Sequence, residues 1–197
     1  MILSLLALAK LQIFLDLLPF PPHFLGVGNF SYPFKRAESS PETTIMSQLN
    51  LPPIEVKTTQ KDGNTYIFDF LRQRYIRLTP EEWVRQHFTH YLVESKGYPK
   101  ALLANEVTIQ VGGVSRRCDS VLYDKYGCAP RVIVEYKAPH ITITQKVFQQ
   151  IYSYNSVLRA EYLIVSNGIT HYCCHVNYDK MEVNYLRDIP SYSELTK

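Results

Sequence analysis

Residues 117–137, RCDSVLYDKYGCAPRVIVEYK, decide how this chain folds. The run Val132-Ile133-Val134-Glu135-Tyr136-Lys137 is an apolar strand ending in a carboxylate and an amine. Side chains alternate along a strand, so Glu135 and Lys137 share one face with Ile133, and Val132, Val134 and Tyr136 share the other. Asp124-Lys125-Tyr126-Gly127 turns the preceding strand into this one. Asp119 lies eight residues before Gly127 and Glu135 eight after it. In a regular antiparallel hairpin the two acids face each other, with Cβ atoms about 4.5–5.5 Å apart. Like charges at that separation destabilise a sheet, and a carboxylate beside an amine on an apolar strand is costly to bury unless paired or ligated. A divalent cation resolves the conflict. The donors are all oxygen, which suits Mg²⁺ or Mn²⁺. A metal held by Asp119 and Glu135 would polarise a phosphodiester and activate water, with Lys137 orienting that water or stabilising charge.

On the N-terminal side of the hairpin, residues 105–111 read as a further strand, parted from 115–123 by Gly112-Gly113. Before it, Thr79-Pro80-Glu81-Glu82 is a strong helix start: a capping threonine, proline at the first helical position, and acids at the positive end of the dipole. Val84, Phe88, Tyr91 and Leu92 continue at helical spacing, and Gly97-Tyr98-Pro99 ends the run. On the C-terminal side a helix is expected from Gln145 to Arg159, capped by Thr142 or Thr144. A short strand follows at 162–165, then the Asn167-Gly168 turn, then a last strand near 171–176. The order α-β-β-β-α-β-β predicts an α/β domain with a mixed sheet. Residues 54–60 and 65–70 form a strand pair about Lys61-Asp62-Gly63-Asn64, and Arg74–Leu78 a further short strand, so that 46–78 adds strands to a core beginning at 79 and running to 197.

This pattern resembles the PD-(D/E)xK nucleases, and more closely the small bacterial proteins similar to the N-terminal nuclease domain of type I restriction enzyme R subunits. The stretches LTPEEWVRQHF, RRCDSVLYD, VIVEYKAP, QQIYSYN and YLIVSNG carry the resemblance over roughly residues 78–168. It implies a restriction-endonuclease-like α-β-β-β-α-β core flanked by helices, and DNA as substrate. It also implies a role in the site for the Q-x-x-x-Y pair Gln150 and Tyr154, which fall on one helix face. A first-helix glutamate in the metal set is implied as well; Glu81 is preferred over Glu82, with Glu106 a weaker candidate. The proline that the signature places before the aspartate is Cys118 here. The sequence contains no G-x-x-x-x-G-K-[ST] phosphate loop, so it carries no helicase motor of that type. The chain reads as a lone nuclease-like module or as the partner of a larger restriction or repair complex. A catalytically silent binding or scaffold protein is the alternative.

Other features are less directive. The chain has 197 residues and a net charge of +3, which permits contact with nucleic acid without arguing for it. Arg116 and Arg117 could meet a phosphate backbone, or be plain solvated charge. The 15 tyrosines could supply stacking on a single strand, or simply suit strands and interfaces. In His171-Tyr172-Cys173-Cys174-His175, ligands in line on one strand do not wrap a tetrahedral ion without other partners. The four cysteines have no C-x-x-C spacing, and a reducing cytoplasm is the simpler expectation. Residues 1–45 form an uncertain extension. Their apolar run is interrupted by Lys10 and Asp16 and is too short to span a bilayer; they read as a membrane-proximal tail, a cleaved leader or the product of an upstream start codon, the last being favoured, and no membrane partner is expected.

Overall fold

The computed structural model describes residues 48–126 and 129–196. The extension over 1–45 lies outside them, as do Gly127 and Cys128 at the hairpin tip. Among the described residues no helix is long and apolar enough to cross a membrane.

Thr79 opens the first helix as its sequence requires. Its backbone is extended and its hydroxyl accepts the Glu82 amide at 3.1 Å, with Pro80 at the first helical position. Helix α1 (Pro80–His90) passes into a π-helical turn at Tyr91–Ser95. Gly97, at φ 72°, ends the run. Six strands then build one sheet in sequence order: β4 (Leu103–Val111), β5 (Val114–Tyr123), β6 (Pro130–Tyr136), β7 (Tyr162–Ser166), β8 (His171–Asn177) and β9 (Glu182–Leu186). Only β6 and β7 run parallel, because helix α2 (Gln145–Leu158) carries the chain back between them. The sheet is therefore mixed and the domain α/β, with the expected α-β-β-β-α-β core. The strand near 171–176 is not the last. The edge strand β9 and a short helix α3 (Tyr192–Leu195) follow it. An edge strand with few buried positions leaves a weak periodic signal, which is why it escapes a reading based on alternation.

Alternation on β6 sorts the core into two layers. Ile133 packs with Leu163, Val165 and Cys174 against Val147, Phe148 and Ile151 of α2. Val132, Val134 and Tyr136 pack with Ile164 and Cys173 against Val84 and Phe88 of α1 and Leu92 of the π-helical turn after it. The sheet thus lies between the two helices.

A separate antiparallel sheet precedes α1: β1 (Thr58–Lys61), β2 (Asn64–Asp69) and β3 (Arg74–Arg77). Asp62 and Gly63 both have positive φ, as a two-residue hairpin turn of this twist demands. The strand expected from residue 54 begins only at Thr58. Ile67 and Leu78 of this unit pack on Trp83 of α1, with Ile76 alongside.

Candidate active site

Strands β5 and β6 pair Leu122↔Val132, Val121↔Ile133 and Ser120↔Val134. Carried one residue further, that register sets Asp119 opposite Glu135, as the symmetry about Gly127 predicts. There the backbone ladder gives way to a side chain: the Tyr136 amide donates to Asp119 Oδ2 at 2.8 Å. Asp119 Oδ1 accepts from Arg85 Nη2 of α1 at 2.9 Å.

The reason Asp119 can be reached from the α1 layer lies in a change of phase. On β4, Leu103 packs in the α1 layer, yet Val107 and Ile109, of the same parity, pack in the α2 layer. On β5, Leu122 belongs to the α1 layer and Cys118 to the α2 layer. The flip falls between the pairs Asn105↔Ser120 and Val107↔Cys118, where Glu106 stands across from Asp119. Glu106 has φ 56°, a left-handed conformation uncommon for a residue with a side chain. Asp119 therefore sits where the pleat reverses, between Arg85 on one side and Glu135 on the other.

Glu135 is 2% exposed. Its Oε1 accepts from both Lys137 Nζ and Gln150 Nε2 at 2.5 Å, while its buried Oε2 has no hydrogen-bond partner. Gln150 also accepts from Lys137 Nζ at 3.2 Å and donates to the Tyr154 hydroxyl at 2.9 Å. One turn of α2 thus holds Glu135, Lys137, Gln150 and Tyr154 in one network. Burial first, then the Asp119 charge, pushes the Glu135 carboxyl up to about 8, against the pull of Lys137. For Lys137, burial favours the neutral amine, but Glu135, Glu81 and Asp119 outweigh it and hold the ammonium above its usual range.

The remaining acids divide into two groups. Glu82 is committed to structure: Oε2 accepts from Arg85 Nη1 at 2.6 Å, and Oε1 from Gln86 Nε2 at 2.8 Å and Arg72 Nη2 at 3.3 Å. Glu106 is likewise taken by Arg72 at 2.5 Å and Arg85 at 3.4 Å. Glu81 keeps a half-exposed side chain 3.7 Å from Arg85 Nη2. Burial, then the Asp119 charge, raises its pKa, so it shares the field of the site. Arg116 and Arg117 are exposed, Arg117 reaching Glu106 at 3.6 Å.

Sequence reasoning missed Arg85 and the pair behind it, Arg72 and Asp69, which tie it to Glu82 and Glu106. Arg85 stands three and four residues after Glu82 and Glu81, the spacing of helical ion pairs. Nothing local told that its guanidinium is buried.

Among the described residues no three His, Cys, Asp or Glu side chains converge as a ready-made metal cage. His171 and the cysteines are engaged elsewhere. The His171 ring bonds Ser166 and the Asn50 carbonyl, and Cys173 and Cys174 pack in opposite layers. The donor set at Asp119 and Glu135 does fit a hard cation. It offers carboxylate oxygens only, and one of them, Glu135 Oε2, is buried and unpartnered.

A solved chain described as the fragment structure of an HsdR subunit of a type I restriction enzyme from Vibrio vulnificus YJ016 is similar at a TM-score of 0.46 and 22% identity, over 59% of this chain and 24% of that one. This chain thus spans about a quarter of that one. No curated protein matches. A family model described as "Type I restriction enzyme R protein N terminus (HSDR_N)" matches residues 80–190, from the first residue of α1 to beyond β9. That is more than half of the sequence, and the chain belongs to the family of type I restriction enzyme R protein N-termini.

Proposed function

We propose that this domain is a metal-dependent nuclease that hydrolyses phosphodiester bonds in DNA, with Asp119, Glu135 and Lys137 as its centre. The observation that carries the reading is Glu135 Oε2: a buried carboxylate oxygen without a partner, on a carboxyl raised to about 8, beside a second carboxylate. Such groups cluster at functional sites because folding alone gains nothing from them. Asp119 and Glu135 would hold Mg²⁺ or Mn²⁺, with Glu81 completing the set from α1. The ion, when bound, supplies Lewis-acid polarisation of the phosphodiester and a lowered pKa for its water.

The chain's own groups have separable tasks. Arg85 and the Tyr136 amide fix the Asp119 carboxylate at the fork of the sheet. Gln150, oriented by Tyr154, holds Lys137 against Glu135. In the metal-free state Lys137 is kept protonated, which suits it to orient the attacking water or to stabilise negative charge on the phosphate as a cation. Arg116 and Arg117 offer exposed charge to the phosphate backbone.

The test is incubation of single- and double-stranded DNA with the protein and Mg²⁺ or Mn²⁺, beside Lys137→Ala. Cleavage should need metal and fall by at least about 100-fold in the variant, the scale of losing one transition-state donor. Cleavage that survives the substitution sinks the assignment. A second reading, a DNA-binding domain without catalysis in a larger restriction complex, draws on Arg85, whose guanidinium already neutralises Asp119. Calorimetry separates the two, since a silent site takes up no Mg²⁺.

A further inference from the structure

The sheet β1-β2-β3 lies wholly before the family match, and only one of its faces serves the core. Ile67, Ile76 and Leu78 point to Trp83. A sheet packed on one side should show water a polar face on the other. This one carries aromatic rings, one exposed and two half-buried. By alternation the outer face carries Tyr66 and Phe68 on β2 and Tyr75 and Arg77 on β3. The pairing Phe68↔Tyr75 sets one row, with its ring centroids 5.3 Å apart at 68°, and Lys57 extends that row through its carbonyl bond to the Phe68 amide. Thr59↔Tyr66↔Arg77 sets the next row, and Lys61 stands beyond it. Tyr75 is 47% exposed, and Lys57, Lys61 and Arg77 are exposed as well.

Charge is concentrated here. Residues 57–77 hold five Lys or Arg and two Asp, an excess of three that equals the net charge of the entire chain. Arg72 and Asp69 pair with each other at the base of the sheet. The cations left at the surface are Lys57, Lys61, Arg74 and Arg77, against Asp62 in the turn and Glu55 before β1.

We infer that this outer face binds single-stranded DNA, its rings stacking on bases and its lysines and Arg77 following the phosphates. The inference rests on the proposed reading of DNA as substrate. Stacking selects a single strand because a duplex hides the faces of its bases, and interleaved rings and cations are the pattern that binds such strands without regard to sequence. The far end of the sheet is tied to the active site. Arg72, between β2 and β3, bonds Glu82 and Glu106, and Arg85 joins both to Asp119.

The experiment is a fluorescence-anisotropy titration of a labelled oligothymidine strand in EDTA. Tyr75→Ala should weaken binding roughly tenfold or more, Tyr75→Phe should restore it, and a duplex should respond to neither change. Lys57→Ala with Lys61→Ala should flatten the salt dependence by roughly one unit of slope or slightly more. A wild-type protein that ignores the strand, a Tyr75→Ala variant that binds as tightly as wild type, or a duplex that loses as much as the single strand overturns the inference. So does an oligouridine strand that binds more tightly. Tyr75 is surface-exposed, and an unchanged melting temperature excludes unfolding as the cause. EDTA silences a nuclease site, so this titration fails or succeeds independently of the cleavage assay at Lys137.

Discussion

Replacing Glu135 with glutamine should stabilise the metal-free protein, and increasingly so as pH rises. The side chain is 3% exposed, one oxygen has no partner, and the carboxyl is pushed from its ordinary 4.5 up to about 8. The folded state holds this proton more tightly than the unfolded chain does. The group's contribution to stability is therefore fully present below about pH 4.5, is lost as pH rises, and is gone above about pH 8. Across that window, at about 1.36 kcal/mol per unit, the loss is on the order of 5 kcal/mol. Glutamine escapes it but gives up the ion pair with Lys137, so a net gain of about 2–3 kcal/mol near pH 9 is expected, shrinking toward zero or below near pH 5. Urea unfolding in EDTA at several pH values reads this directly. A gap between variant and wild type that stays constant or narrows with rising pH refutes the reasoning. Saturating Mg²⁺ should then stabilise the wild type and leave the variant nearly unmoved, because a ligand stabilises only the state that binds it.

Arg85→Leu removes the cation shared by Glu82, Glu106 and Asp119, which are left around an apolar side chain; a loss of roughly 3–5 kcal/mol in urea unfolding is expected, and one below about 1 kcal/mol would mean that water already solvates those acids. Gly168→Ala brings a Cβ within 2.7 Å of Leu49 Cδ2 and 3.1 Å of Val84 Cγ2 at φ +81°. The backbone alone costs about 1 kcal/mol or more, and displacing Leu49 should loosen the segment whose Asn50 amide bonds the Gly168 carbonyl. Faster protease cleavage near residue 50 checks it, and an unchanged melting temperature and cleavage pattern would count against it.

The parts of the fold legible in the sequence are those set by local chemistry. Thr79-Pro80-Glu81-Glu82 begins a helix wherever it is placed, and Asp62-Gly63 makes its turn without help from the rest of the chain. The opposition of Asp119 and Glu135 was legible from the symmetry about Gly127, although the structure reaches that register only through an irregularity between Leu122 and Tyr123, which no residue pattern announces. What stayed hidden depends on contacts between distant elements. Strict alternation along β4 and β5 assigns one face to Asp119, but the left-handed turn at Glu106 reverses the pleat there, and no glycine announces it. Arg85 reads as a surface helix residue until α1 is packed on the sheet. The expected clash of two carboxylates shows in the Asp119 charge, which adds to burial in pushing the Glu135 carboxyl up. In the metal-free state it is relieved by Arg85 on Asp119 and by the raised pKa of Glu135.

Charge around the site remains one-sided even so. Asp69, Glu81, Glu82, Glu106, Asp119 and Glu135 are joined, through ion pairs or through the field they share, to Arg72, Arg85 and Lys137, so acids outnumber these bases by three, and by two in charge where Glu135 keeps its proton; the exposed Arg117 only touches the edge. A polyanion should be repelled from such a pocket, while residues 57–77, the β1-β2-β3 sheet with the lysine before it, carry an excess of three positive charges. The two features make sense together if the basic sheet attracts a strand and a divalent cation in the pocket admits its phosphate. Either feature alone would be a liability: an acidic cleft that repels its substrate, or a basic surface with no chemistry beside it. Metal would then govern cleavage and the seating of the scissile phosphate, while the first capture of the strand would proceed without it.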